Sequence, residues 1–240
     1  MRILVGITSY SEAKNYTHKK LVENMETCVQ PVADVMTFGD KTIPGIEHFP
    51  MPSIPSTWAD DYLYEARDRI RSYAAEGDYD AFIWQGSDCY YNSYADFKLF
   101  TERAMVSNYD AVGALTAGRN RPDYPVARRF TDGGPAQHEI PEEILLSGTI
   151  VDAGFPGADA LLVKKNLFNE TWKNWYYTPW YEHPAELCVE EFWCMIVTRM
   201  GHRIGLDTFI RTWHVHENGM ASRWPMEYEH QDDLVFEGRG

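Results

Sequence analysis

The chain has 240 residues and is acidic, with 36 Asp and Glu against 22 Lys and Arg and a formal charge of −14. That balance argues against a general nucleic-acid or anionic-membrane binder, which needs a basic face; the local cluster Arg119, Arg121, Arg128 and Arg129 suits a small anion at most. Four cysteines (Cys28, Cys89, Cys188, Cys194) form no CxxC pair, which excludes a zinc ribbon or disulfide scaffold and predicts reduced, mostly buried thiols. No apolar run approaches ~20 residues, and the opening MRILVGITSY is too short in its apolar part for a signal peptide. A cytoplasmic protein without stable membrane insertion is expected.

Ile3 to Thr8 read as a strand opening into the polar Ser9-Tyr10-Ser11. Residues 16–29 carry apolar side chains at helical spacing (Leu21, Val22, Met25, Val29), and Ala33 to Phe38 form a second strand before Gly39-Asp40. The Pro- and Ile-rich stretch 41–57 has no clean period and reads as loop. Ser56 is placed to cap a helix over 58–76, whose Ala59, Tyr62, Leu63, Ala66, Ile70 and Tyr73 share a face and which Gly77 ends. The stretch DAFIWQGSDCYY then puts a strand of buried character at 81–85 directly before Gly86-Ser87-Asp88. A helix over 93–107 and a strand from Ala111 to Leu115 follow. This alternation predicts an α/β fold with a largely parallel sheet flanked by helices.

Residues 117–146 are irregular, and an unstructured stretch of that length is usually functional. Ser147–Ala153 and Ala158–Val163 read as strands, 166–174 as a short helix, 186–200 as a helix, and Arg203–Leu206 and Phe209–Thr212 as two short strands. The remaining residues, 217–240, read as an acidic tail.

In open α/β sheets, ligands bind beyond the carboxyl ends of the strands. Three such ends carry polar groups: Thr8-Ser9-Tyr10, Asp40, and Gly86-Ser87-Asp88. Taken alone, Asp88 is an ordinary turn former, and Glu190-Glu191 an ordinary solvated helix face. His214 and His216, two apart on a strand, face the same way and could aim at one metal such as Mn²⁺. The aromatic run Trp175 to Tyr181 is either a hydrophobic cover or a stacking wall, with Trp175, Tyr177 and Trp180 as acceptor-binding candidates.

Four segments in order resemble the nucleotide-sugar glycosyltransferases of the GT-A fold, family-2 type: RILVGITSY, YEARDRIRSYAAEGDYDAFIWQGSD, VDAGFPGADALLVKKNLF and VEEFWCMIVTRMGHRIGLDTFIRTWHVH. The resemblance implies a Rossmann-like, mostly parallel sheet with a small antiparallel portion in the C-terminal half. It also implies one domain, with a nucleotide-binding half over 1–116, an acceptor and catalytic half over 117–216, and the tail. Asp88 matches the last Asp of the family's DxD motif, with Gly86 replacing the first and Ser87 the middle residue near the donor ribose. Thr8, Ser9, Tyr10, Arg67, Gly157 and Ala158 fall in donor-binding segments, with Asp68 beside Arg67 as the second half of the family's pair. Glu190 takes the place of the catalytic acid, with Glu191 one residue off, and His214 matches the late metal ligand better than His216.

The implied activity is transfer of a sugar, most simply from a UDP-sugar, to a hydroxyl acceptor, with inversion and with Mn²⁺ or Mg²⁺ on the diphosphate. A glycan, a protein, a lipid-linked sugar or a nucleobase hydroxyl would each serve as acceptor, and a homodimer is left open. The rivals are a nucleotidyltransferase, though TSYSEAKNY lacks the expected glycine- and basic-rich loop, and a non-catalytic nucleotide-sugar or carbohydrate-binding protein.

Overall fold

The computed structural model describes residues 1–9, 18–52, 59–118, 123–130, 137–168, 189–216 and 218–240. In chain order the elements are β1 (Ile3–Ser9), α1 (His18–Asn24) with a π-helical turn at Met25–Val29, β2 (Asp34–Gly39), β3 (Glu47–Pro50), α2 (Ala59–Glu76), β4 (Ala81–Gln85), β5 (Cys89–Tyr90) and α3 (Tyr94–Val106). Then come β6 (Ala111–Thr116), β7 (Arg129–Phe130), β8 (Gln137–His138), α4 (Glu142–Leu145), β9 (Ile150–Asp152), β10 (Ala160–Lys164) and α5 (Lys165–Phe168). The chain closes with α6 (Val189–Arg199), β11 (Ile204–Val215), β12 (Met220–Arg223) and β13 (Glu227–His230).

The sheet runs β13-β12-β11-β6-β10-β4-β1-β2-β3, with β5 and β9 also paired to β11. From β3 to β11 every strand points the same way except β10, which lies antiparallel between β4 and β6. The mostly parallel α/β sheet expected from the sequence is therefore present. Its strands are apolar on both faces because both are covered. Ile3, Val5 and Ile7 of β1, Ile83 of β4 and Leu162 of β10 pack under α1 and α3; Leu4, Phe82, Trp84 and Leu161 pack under α2, α5 and α6.

Helix α3 shows how local sequence sets this. The Ser93 hydroxyl accepts from the Asp96 backbone N–H (3.0 Å) and so caps the helix, and Phe97, Phe100, Thr101 and Ala104 form its buried stripe. Each buried phenylalanine contributes about 1.5–3 kcal/mol. Cys28, Cys89 and Cys194 are buried and outside any disulfide, with burial pushing the Cys28 thiol up to about 12.

Residues 117–146, read as irregular, hold the short elements β7, β8 and α4, and three further departures from the sequence reading shape the sheet and core. Residues 47–50, read as loop, form the edge strand β3, parallel to β2; four residues ending in a proline show no period to detect. The two strands expected over 203–212 are one, β11, with a register shift between Asp207 and Arg211. Asp207 is fully buried at that irregularity, and Arg103 holds it through two bonds of 2.8 and 3.1 Å. Residues 218–240, read as a tail, build β12 and β13 and then run back along the core: Leu234 and Phe236 are buried there, and the Tyr94 N–H donates to the Glu237 carbonyl at 2.7 Å.

Asp110, just ahead of β6, ties three segments together. Its carboxylate accepts from the Arg203 backbone N–H (2.9 Å), from Asn166 Nδ2 and from His202 Nδ1 (3.3 Å). Burial opposes the charge, but these donors outweigh it and hold the Asp110 carboxyl below its usual value. A lowered folded-state pKa means that this stabilisation is complete above about pH 4 and is lost as the pH falls further. Asp110→Asn is expected to cost about 1–3 kcal/mol at neutral pH. In thermal melts its deficit against wild type should shrink on acidification; a deficit that stays constant would contradict the assignment.

Candidate functional site

The carboxyl ends of β1 and β4 open into a cavity of about 470 Å³. Among the described residues its walls include Thr8 of β1, Arg67 of α2, the turn after β4, Val126 ahead of β7, Phe155, Ala158 and Asp159 between β9 and β10, Glu190 and Glu191 of α6, and His214 of β11. Trp84 lies beneath, edge-on to Trp193 with centroids 5.0 Å apart.

The turn after β4 is what gathers these groups. It doubles back, so that β5 pairs antiparallel with β11, His214 opposite Cys89, and the Val215 N–H donates to the Asp88 carbonyl at 2.8 Å. Gln85 straps the turn, its Nε2 donating to the Cys89 carbonyl at 2.6 Å. The Asp88 carboxylate thereby comes to 3.6 Å from His214 Nε2. His214 is buried, and its Nδ1–H donates to the Ala117 carbonyl at 2.8 Å; a carbonyl only accepts, so the tautomer is set and Nε2 is the atom turned to Asp88. Burial disfavours the imidazolium, but Asp88, with Asp159 behind it, prevails and raises the His214 pKa.

Asp159 was not singled out in the sequence. Strand β10 pairs with β4 in the register Ala160 opposite Gln85, which sets Asp159 opposite Gly86, and the Gly86 N–H donates to the Asp159 carbonyl at 2.8 Å. A Cβ at residue 86 would stand 3.0 Å from Asp159 Oδ1 and 3.1 Å from Asp88 Oδ1. Burial and the Asp88 charge raise the Asp159 pKa. The available signal was an acid directly before an apolar strand, two residues after Gly157. Gly157 itself serves that turn, with φ of +89°.

Glu190 is held from α2: Arg67 Nη1 donates to Glu190 Oε1 at 2.7 Å, with both side chains largely buried. The Arg67 guanidinium also lies over Trp84, 5.6 Å from the ring centroid.

The other candidates fare unevenly. Thr8, Ser87, Asp88, Ala158, Glu190, Glu191, Arg67 and His214 all line the cavity. Ser9 does not; its hydroxyl donates to the Lys41 carbonyl at 2.7 Å, tying β1 to the loop after β2. Gly157 shapes the wall without lining it, and Asp40 lies outside it. His216 falls past the end of β11, its Nε2 2.7 Å from the Ser222 hydroxyl and its ring centroid 5.4 Å from that of His214. Asp68 pairs with Arg71 one turn along α2 (2.8 Å). Arg128 donates to the Ala127 carbonyl (2.7 Å), not toward an anion. Tyr10, Trp175, Tyr177, Trp180, Arg119 and Arg121 lie outside the described residues. Among those described, no helix is long and apolar enough to cross a membrane.

No protein-family model matches the chain, and no curated protein does. Solved structures do. A197 from STIV superposes with a TM-score of 0.58 at 16% identity, covering 98% of this chain and 96% of that one. Residues 1–349 of TarS from S. aureus, in complex with UDP-GlcNAc, superpose with a TM-score of 0.54 at 12% identity; the match covers 98% of this chain and 62% of the TarS chain. The chain has a GT-A-like α/β fold.

The Arg67–Glu190 pair carries a stability prediction. Arg67→Met removes the cation from a largely buried carboxylate and is expected to cost about 3 kcal/mol in chemical denaturation, with Arg67→Lys recovering part of it. A methionine variant as stable as wild type would show the pair to be dispensable for folding.

Proposed function

We propose that this chain is a glycosyltransferase that moves a sugar from a nucleoside-diphosphate sugar, with UDP as the nucleotide, to a hydroxyl acceptor. The supporting observation is that Asp88, His214 and Glu190 converge on one cavity at the carboxyl edge of the sheet. The fold is shared with TarS, whose structure holds UDP-GlcNAc. In this reading residues 1–116 carry most of the donor site, with Thr8, Ser87 and Ala158 beside the nucleotide and sugar, and 117–216 carry the acceptor side and the catalytic carboxylates.

The donor set suits a divalent ion: a carboxylate oxygen from Asp88, and the His214 Nε2 that the Nδ1–H···O=C bond orients. Bound Mn²⁺ or Mg²⁺ would offset the charge that develops on the departing diphosphate. Ions that serve phosphate chemistry take only part of their shell from the protein, and donor oxygens and water would fill the remaining positions.

Glu190 is the general base, taking the acceptor hydroxyl's proton as the new bond forms; Glu191 beside it is the second candidate. Arg67 orients the Glu190 carboxylate, its Nη1 donating to Glu190 Oε1 at 2.7 Å. Attack from the side opposite the leaving diphosphate inverts the anomeric carbon. The acceptor's hydroxyl belongs to a glycan, a protein, a lipid-linked sugar or a nucleobase, and Trp175, Tyr177 and Trp180 are the residues assigned to stack against it.

Incubation with a panel of nucleotide sugars and Mn²⁺ should release nucleoside diphosphate slowly by donor hydrolysis. Glu190→Gln should lower turnover by about 10²–10⁴-fold with donor affinity unchanged. Failure of wild-type protein to bind any donor would sink the enzyme reading; donor binding with no turnover toward any acceptor would favour the non-catalytic rival.

A further inference from the structure

The family's DxD motif has lost its first carboxylate here, with glycine at position 86. The space a side chain at 86 would need is already in use. Its Cβ would meet Asp159 Oδ1 at 3.0 Å, Asp159 Cβ at 3.1 Å and Asp88 Oδ1 at 3.1 Å. Two carboxylates therefore flank the point where the first Asp of the motif would begin, one from the turn after β4 and one from the residue opposite it on the β10 side.

We infer that Asp159 supplies, from the start of β10, the second carboxylate that Gly86 withholds, so that Asp88 and Asp159 together hold the divalent ion accompanying the donor's diphosphate. The inference rests on the proposed function.

Several observations lead to it. The backbone bond from the Gly86 N–H to the Asp159 carbonyl (2.8 Å) fixes the spacing of the two residues, so Asp159 stays beside the turn whatever its side chain does. Asp159 lines the same cavity as Asp88 and His214. Two carboxylates this close repel each other, and a cation between them removes that repulsion. The set is also incomplete in the expected way. Mg²⁺-type sites that serve phosphate chemistry use one or two carboxylates and leave the remaining positions to phosphate oxygens and water. A site with two carboxylates therefore takes the ion together with the nucleotide, and by linkage each ligand tightens the other by the same factor.

The test is Mn²⁺ binding to the full chain, followed by electron paramagnetic resonance with and without UDP, for wild type, Asp159→Asn and Gly86→Ala. In wild type, UDP should tighten Mn²⁺ at least tenfold. Asp159→Asn should weaken Mn²⁺ in the presence of UDP by about 10–100-fold while changing UDP affinity in EDTA by less than about threefold. Gly86→Ala, which forces a methyl between the two carboxylates, should weaken Mn²⁺ likewise. Melting curves in EDTA separate a metal role from a merely structural one: Asp159→Asn should melt no lower than wild type, because it removes an unfavourable buried charge.

Wild-type Mn²⁺ affinity retained in Asp159→Asn, with UDP still bound, would overturn the assignment of Asp159 and leave the proposed function standing. UDP binding that ignores Mn²⁺ in wild type would overturn the assignment and the metal's part in the reaction. Absence of UDP binding in wild type would overturn both the assignment and the donor reading.

Discussion

The pairing of a two-residue strand with β11 is the constraint on which the site depends. Because Cys89 and Tyr90 add to the long strand, the turn at residues 86–88 cannot swing away from the sheet, and Asp88 is delivered to His214 by backbone hydrogen bonds. The irregularity in β11 belongs to the same arrangement. The strand pairs with β9 and the first half of β6 up to Asp207, shifts register, and only then reaches the β5 ladder. Arg103 and the buried Asp207 pin the shift in place. An ion pair far from the cavity thus helps to fix the height at which His214 emerges.

Charge decides what the cavity can hold. Among the described residues, Asp88, Asp159, Glu190 and Glu191 face it, against one arginine and one histidine, in a protein of net charge −14. A diphosphate entering such a space meets repulsion unless a cation enters with it. Coulomb energies between close charges are several kcal/mol at the effective dielectric of a partly buried site, about 4 kcal/mol at 4 Å, and so exceed the worth of any single neutral hydrogen bond. Arg67 pairs with Glu190, and the Asp88 carboxylate lies 3.6 Å from His214 Nε2.

Much of this was legible in the sequence because it is local. Period-2 and period-3.6 patterns located β1, β2, β4, β6, α2, α3 and α6, and strand ends marked where polar groups would gather. What stayed hidden depends on register between distant segments. Nothing near Asp159 says that β10 runs antiparallel beside β4 with Ala160 opposite Gln85, so the acid that faces Gly86 looked like part of a strand approach. Ser9 and His216 show the same dependence on distant segments: Lys41 and Ser222, which their local pattern does not announce, engage them. Arg67 looked equally suited to pairing within its helix or to a ligand, and its partner proved to be a carboxylate 123 positions away.

The closing residues have a practical meaning for work on the molecule. The sequence segments that resemble a known family end at His216, and a boundary drawn there would seem natural. Beyond it, however, the chain crosses back over α1 and α3: Lys20 donates to the Leu234 carbonyl, the ammonium of Lys20 lies over the Phe236 ring, and Glu237 bridges to Ser93. These contacts fasten the C-terminal stretch to the first helix of the chain, so a shortened clone would expose apolar surface at the opposite end of the polypeptide. An affinity tag is better placed after a spacer beyond Gly240 than substituted for any of these residues.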